Sequence, residues 1–211
     1  MLKSLPTNFL LTVCVLTLTA GWGCSVQKTA SPAPSTEVIT ERSDPDAAAA
    51  LKMIDKAPDS PVGYNALAVH YLKKVRQTAD FGYATRAESA IDKALQAEPG
   101  DMIARKLKAS IHLSFHRFDE AISAANELLA ESPNDPYLYG ILTDGNMELG
   151  NYEEAVKSAQ KMVDLRPETA SFARVAQLRT LYGDHNGAIE IMTQAARSAD
   201  PMDKEDRKSV V

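Results

Sequence analysis

The chain has 211 residues, 45% hydrophobic and 6% aromatic, with a formal charge of −5 from 23 Lys and Arg against 28 Asp and Glu. That balance excludes nucleic acid as the main partner, because phosphate binding needs concentrated cations and no basic run occurs. Cys14 and Cys24 are its two cysteines, both near the start, so the chain beyond Cys24 contains no thiol and no internal disulfide is expected there.

Residues 1–23 read as a targeting segment. Lys3 supplies the positive charge, and Phe9 to Ala20 is an apolar run of roughly a dozen residues, shorter than a membrane span ordinarily needs. Gly21-Trp22-Gly23-Cys24 follows, and a Cys placed after a small residue at the end of such a run resembles the bacterial lipoprotein signal. That resemblance implies that Cys24 is lipidated and becomes the mature N-terminus, tying the protein to a membrane and facing it to the periplasm or the cell surface. Gly21 departs from the pattern, which has Leu three residues before the Cys. The alternatives are a secretory signal cut near Gly23 and an uncleaved signal anchor. Residues 24–45 are rich in Ser, Thr, Pro and Ala with no periodic apolar face, so a disordered tether is expected.

A short helix is predicted over Asp46 to Ala57, with Asp44 or Asp46 at its N-cap, Pro58 closing it, and Leu51, Met53 and Ile54 as apolar points. From there the chain repeats itself. Pro99, Pro133, Pro167 and Pro201 recur at intervals of 34, as do Ala87, Ala121 and Ala155. The unit is clearest over Asn134 to Pro167. Tyr139, Leu142 and Met147 mark a first helix, Gly150 a left-handed turn, and Tyr152 a wedge between the helices. Glu153 and Glu154 suit the positive start of the second helix, where Ala155, Ala159 and Met162 form its packing face. In the first unit, 61–99, Tyr64, Leu67, Ala68 and Tyr71 precede Ala87, Ile91 and Ala94. Pro58 and Pro99 lie 41 residues apart, and one added turn on each helix would keep such a pair in phase. In the second unit, 102–133, Arg105 and Lys108 stand at normally apolar positions. A stripe of Leu107, Ile111 and Phe115 suggests a rotated first helix whose cations snorkel. The fourth unit, 169–201, is marked by Phe172, Val175, Ala176, Gly183, Ala188 and Ala195.

A period of 34 with a small residue, an aromatic and a terminal Pro in fixed phase resembles the tetratricopeptide repeat (TPR) family. The resemblance implies an all-α, right-handed solenoid of antiparallel helix pairs, about four repeats behind an N-terminal capping helix, over residues 46–201. The longer hairpin of the first repeat is similar to that of a group of bacterial TPR proteins. Family membership further implies that the first helix of each repeat lines a concave groove through Val62, Asn65, Val69 and Leu72; Ile103, Lys106, Ser110 and Leu113; Tyr137, Gly140, Asp144 and Met147; and Ala170, Ala173, Gln177 and Thr180. The Lys, Asn and Arg set by which one TPR subgroup clamps a C-terminal carboxylate is missing, so that ligand is not expected.

No nucleophile elbow, phosphate loop or dinucleotide fingerprint occurs, and the paired carboxylates sit at helix starts. His112 and His116 lie four apart on one helix, a spacing that can serve a metal, but packing explains both positions. The expected function is a non-catalytic adaptor without cofactor or metal, holding a partner peptide or helix in the groove at the cell envelope. The alternatives are an assembly factor for an outer-membrane protein or pilus pathway, and the TPR part of a longer enzyme. Residues 202–211 offer no terminal covering helix, and Asp206 to Val211 reads like a translated sequencing adapter, so the natural frame is expected to continue past Glu205.

Overall fold

The computed structural model describes residues 43–198. The targeting segment with Cys24, nearly all of the linker, and the tail lie outside them. Nine helices and no strand occur among the described residues, all within one compact unit. None of these helices is long and apolar enough to cross a membrane.

Helix α1 (Pro45–Lys56) begins with Pro in its first turn, and its N-cap Asp44 accepts from the backbone N–H groups of Asp46 (3.1 Å) and Ala47 (3.4 Å). It packs against the next helix through buried Ala47 and Ala50, with Leu51 and Ile54 at the edge. Met53, expected on the packed face, is 47% exposed, because α1 has an extensive partner on one side only.

The next pair, α2 (Pro61–Thr78) and α3 (Gly82–Ala97), takes up the extra residues unequally. Their lengths are 18 and 16 residues, against 13 and 14 in α4 (Met102–Ser114) and α5 (Phe118–Glu131), so the first helix gains most and the expected turn on each is corrected. Nothing in Lys73 to Thr78 breaks a helix, and α2 runs on until Ala79 turns left-handed (φ 55°) and Asp80 accepts from the Gly82 N–H at 2.8 Å.

Helix α4 is not rotated. Ala109 is fully buried, as are Ala68 and Thr143 at the matching positions of the flanking repeats, so the register is shared. Its cations instead stay half-buried and reach carboxylates of the second helices. Arg105 makes a two-pronged pair with Glu131 at 2.6 and 2.8 Å, while Lys108 donates to Asp92 (2.8 Å) and Glu88 (3.3 Å). Glu88 also accepts from Arg117 at 2.6 Å, and that guanidinium holds its carboxyl below the ordinary range.

The third and fourth pairs are α6 (Pro136–Glu148) with α7 (Tyr152–Leu165), and α8 (Thr169–Leu181) with α9 (His185–Ser198). Gly150 (φ 78°) and Gly183 (φ 82°) make the left-handed turns within them, and His116 (φ 55°) occupies the same place in the second pair, edge-on to Phe118. Ala87, Ala121 and Ala155 are fully buried, which brings each second helix close to its partner. Tyr152 is 41% exposed and lies edge-on to Tyr182 of the next repeat, so it links repeats more than it wedges its own pair. At the far end Ile189, 65% exposed, Met192 and Ala196 face outward on α9, as expected of a helix with nothing beyond it among the described residues.

Each helix packs on its neighbours in sequence, and the first helices also touch across repeats: α2 with α4, α4 with α6, α6 with α8. Among the described residues no two second helices touch to that extent. The first helices therefore form the inner row of the array, which is where the groove must lie.

Candidate functional site: the groove along the first helices

The main cavity, about 790 Å³, lies between α2, α4 and α6. Its floor is apolar: Val69 and Leu72 from α2, Ile103 and Leu107 from α4, and Tyr137 from α6. These side chains share a face because the first helices lie side by side and each presents residues at helical spacing to the same side. Val69, Ile103 and Tyr137 are exposed large hydrophobics, and water over such a patch is displaced favourably by an apolar side chain.

Three cations stand around the floor. Lys106 is paired with Asp135 at 2.9 Å, and Asp135 is itself the N-cap of α6, accepting from the Tyr137 N–H at 2.9 Å. Arg166 is paired with Glu168 at 2.8 Å. Arg76 has no ion-pair partner among the described residues and is exposed. The turn Ser132 to Asp135 closes one wall. A second hollow continues towards α1 and shares Val69 and Ile103 with the first; Val62, Asn65, Ala66 and Met53 also line it. Asn65 is held through its amide group, which donates to Asp101 at 2.7 Å, leaving its buried carbonyl oxygen without a partner.

The expected lining residues divide into groups. Val69, Leu72, Ile103, Lys106 and Tyr137 come together in the main cavity, and Val62 and Asn65 in its extension. Leu72 contributes from a largely buried position. Met147 is core, packed with Ala155, Ala159 and Leu178, and Leu113 packs on the cluster around Ala121 and Leu138. Asp144 is tied up by a two-pronged pair with Arg174 at 2.6 and 2.8 Å, and Gly140 is buried. Ser110 lines neither hollow. Ala173, Gln177 and Thr180 line a separate shallow hollow on the last repeat, and Ala170 is exposed. The site therefore occupies the first three repeats and fades where α6 and α8 are latched together.

Sequence reasoning missed Arg76, Arg166, Leu107 and the Ser132 to Asp135 turn. Arg76 lies on the extension of α2, and the turn reaches the cavity only because repeats stack, so no spacing within one repeat marks them. His112 and His116 do not converge: His112 is half-buried and burial pushes its imidazole below the ordinary range, while His116 is exposed on the turn.

The tetratricopeptide repeat model matches residues 79–136, the end of the first repeat and all of the second. That segment reads as tetratricopeptide repeats, and the fold of the described residues is that of an all-α TPR solenoid. Solved structures agree with that fold. MamA residues 41 to the end, from Desulfovibrio magneticus RS-1, is 21% identical with a TM-score of 0.53, over 72% of this chain and 84% of that one. TTC0263, a thermophilic TPR protein in Thermus thermophilus, is 19% identical with a TM-score of 0.54, over 68% and 79%. The Cut9–Hcn1 APC/C hetero-tetramer is 18% identical with a TM-score of 0.61, over 72% of this chain and 28% of that one. Among curated proteins none matches. TPR arrays generally act as non-catalytic scaffolds for protein–protein interaction.

Proposed function

We propose that this TPR array is an adaptor at the cell envelope that holds a protein segment in the groove between α2, α4 and α6. The observation that carries the reading is the apolar floor of Val69, Leu72, Ile103, Leu107 and Tyr137 with cations at its rim. Such a site favours a helix or extended segment whose apolar side chains alternate with carboxylates, because the floor takes the first and Arg76 the second. Micromolar affinity, about −8 kcal/mol, is the scale expected of such a groove.

The test begins with capture of the partner from the native host and measurement of its affinity. Val69→Asp and Tyr137→Ala should each weaken binding about 10-fold or more while leaving helicity unchanged, since both side chains are solvent-facing in the free protein. Lys157→Ala, on the exposed face of α7, should bind as wild type. An equal loss from Lys157→Ala would place the interface on the outer helices instead.

The membrane side of the reading rests on Cys24 after the apolar run, in a chain with no later thiol. Cys24→Ser is expected to shift the protein from salt-washed membranes to the soluble fraction. An unchanged distribution, with no acyl group by mass spectrometry, overturns the lipid anchor.

A further inference from the structure

We propose that Asp44, Asp46 and His70 form a binding site for a divalent cation of the zinc class. One donor atom from each residue lies within 4.8 Å of the other two. The sequence gives no hint of this, because His70 sits in the middle of α2 while the carboxylates belong to the start of α1. Packing of α1 on α2 makes the cluster.

The imidazole is the observation that points to an ion. His70 is only 7% exposed, and its buried Nδ1 has no hydrogen-bond partner. Asp44 Oδ1 lies 3.6 Å from it, too distant for a hydrogen bond. A buried ring nitrogen 3.6 Å from one carboxylate, on a residue clustered with a second, is left unsatisfied by the protein itself, and a coordinated cation would satisfy it. An imidazole with two carboxylates suits zinc and its first-row neighbours better than calcium or magnesium, which take oxygen donors.

Two lysines share the site and decide how it would work. Lys74 holds the other Asp44 oxygen at 2.9 Å, while Oδ1 caps the start of α1 and keeps a lone pair on the side of His70, 3.6 Å away. It orients the ligand much as outer partners orient carboxylates in metal sites. Lys73 lies 3.7 Å from Asp46, and both of those side chains are largely in water, so an ion displaces Lys73 with little loss. Three protein ligands leave further positions to water. Asp46, His70 and Lys73 also line the end of the groove nearest α1, so the ion would sit beside Val62, Asn65 and Val69. It would pin α1, which packs extensively on α2 alone, to the first repeat.

The experiment is thermal unfolding of the chelator-stripped full chain during a zinc chloride titration. At saturating zinc the wild type should gain about 5 °C in Tm. Asp46→Asn, an exposed change that leaves α1 capped by Asp44, should abolish the gain. His116→Ala should keep it, because the His112 and His116 pair takes no part. The inference is overturned if zinc leaves the wild type unmoved, if Asp46→Asn responds equally, or if His116→Ala removes the response.

Discussion

Replacing Gly63 by Ala is expected to cost about 2 kcal/mol and to loosen α1 from the array. A Cβ on Gly63 would stand 2.7 Å from Ile54 Cγ1, 2.8 Å from the Ile54 backbone nitrogen and 3.1 Å from Met53 Cβ. A side chain can rotate away from such a contact, but the backbone nitrogen moves only if the whole helix moves. Since α1 has no other extensive partner, it is the element that yields. Hydrogen exchange should then quicken across Ala47 to Ile54 while α6 and α7 stay as protected as in wild type. Full retention of stability and of α1 protection would show that the two backbones are not held this close. The same variant should bind the groove partner less well, because α1 forms one side of the hollow around Val62 and Asn65.

Leu138→Ala should be costlier, about 3 kcal/mol. Leu138 is fully buried at the junction of α5 and α6, packed among Ala109, Ala121, Ala125, Leu128, Ile141 and Leu142. Three of those neighbours are alanines with no rotamers to swing into a void, so the space left by the leucine stays open. Thermal unfolding followed by circular dichroism should show a loss of roughly 9 °C, on the scale for a domain of this size. A loss below about 1 kcal/mol would mean that α5 and α6 slide together to fill the gap.

What could be read from the sequence was whatever a single repeat demands locally. Gly150 and Gly183 mark turns because a left-handed backbone penalises any Cβ, and Ala87, Ala121 and Ala155 mark close helix approach because nothing larger fits. Those demands recur with the period, so the fold and the inner row of helices were legible. Demands that arise between repeats were not. Arg105 and Lys108 looked like signs of rotation because Glu131, Asp92 and Glu88, which receive them, stand on other helices. Asp144 and Met147 looked like groove residues, but Arg174 from the next repeat claims the first and the core claims the second. Gly63 carries no signal at all, since its α-helical backbone suits any residue and only the distance to Ile54 requires glycine.

Among the described residues the extensive contacts between alternate helices run along one edge, from α2 to α4 to α6 to α8. An array joined this way bends like a book hinged at its spine. Small rotations about the inner edge open or close the outer spacing while the inner row keeps its contacts. Arg174 with Asp144 is a latch across the α6–α8 hinge, whereas at the α2–α4 hinge the link is Asn65 with Asp101. Of these two inner links the charged two-pronged latch is the firmer. Farther out the first two repeats are tied by Lys108 and Arg117 on Glu88, so a bound segment meets groove walls that are already set in place.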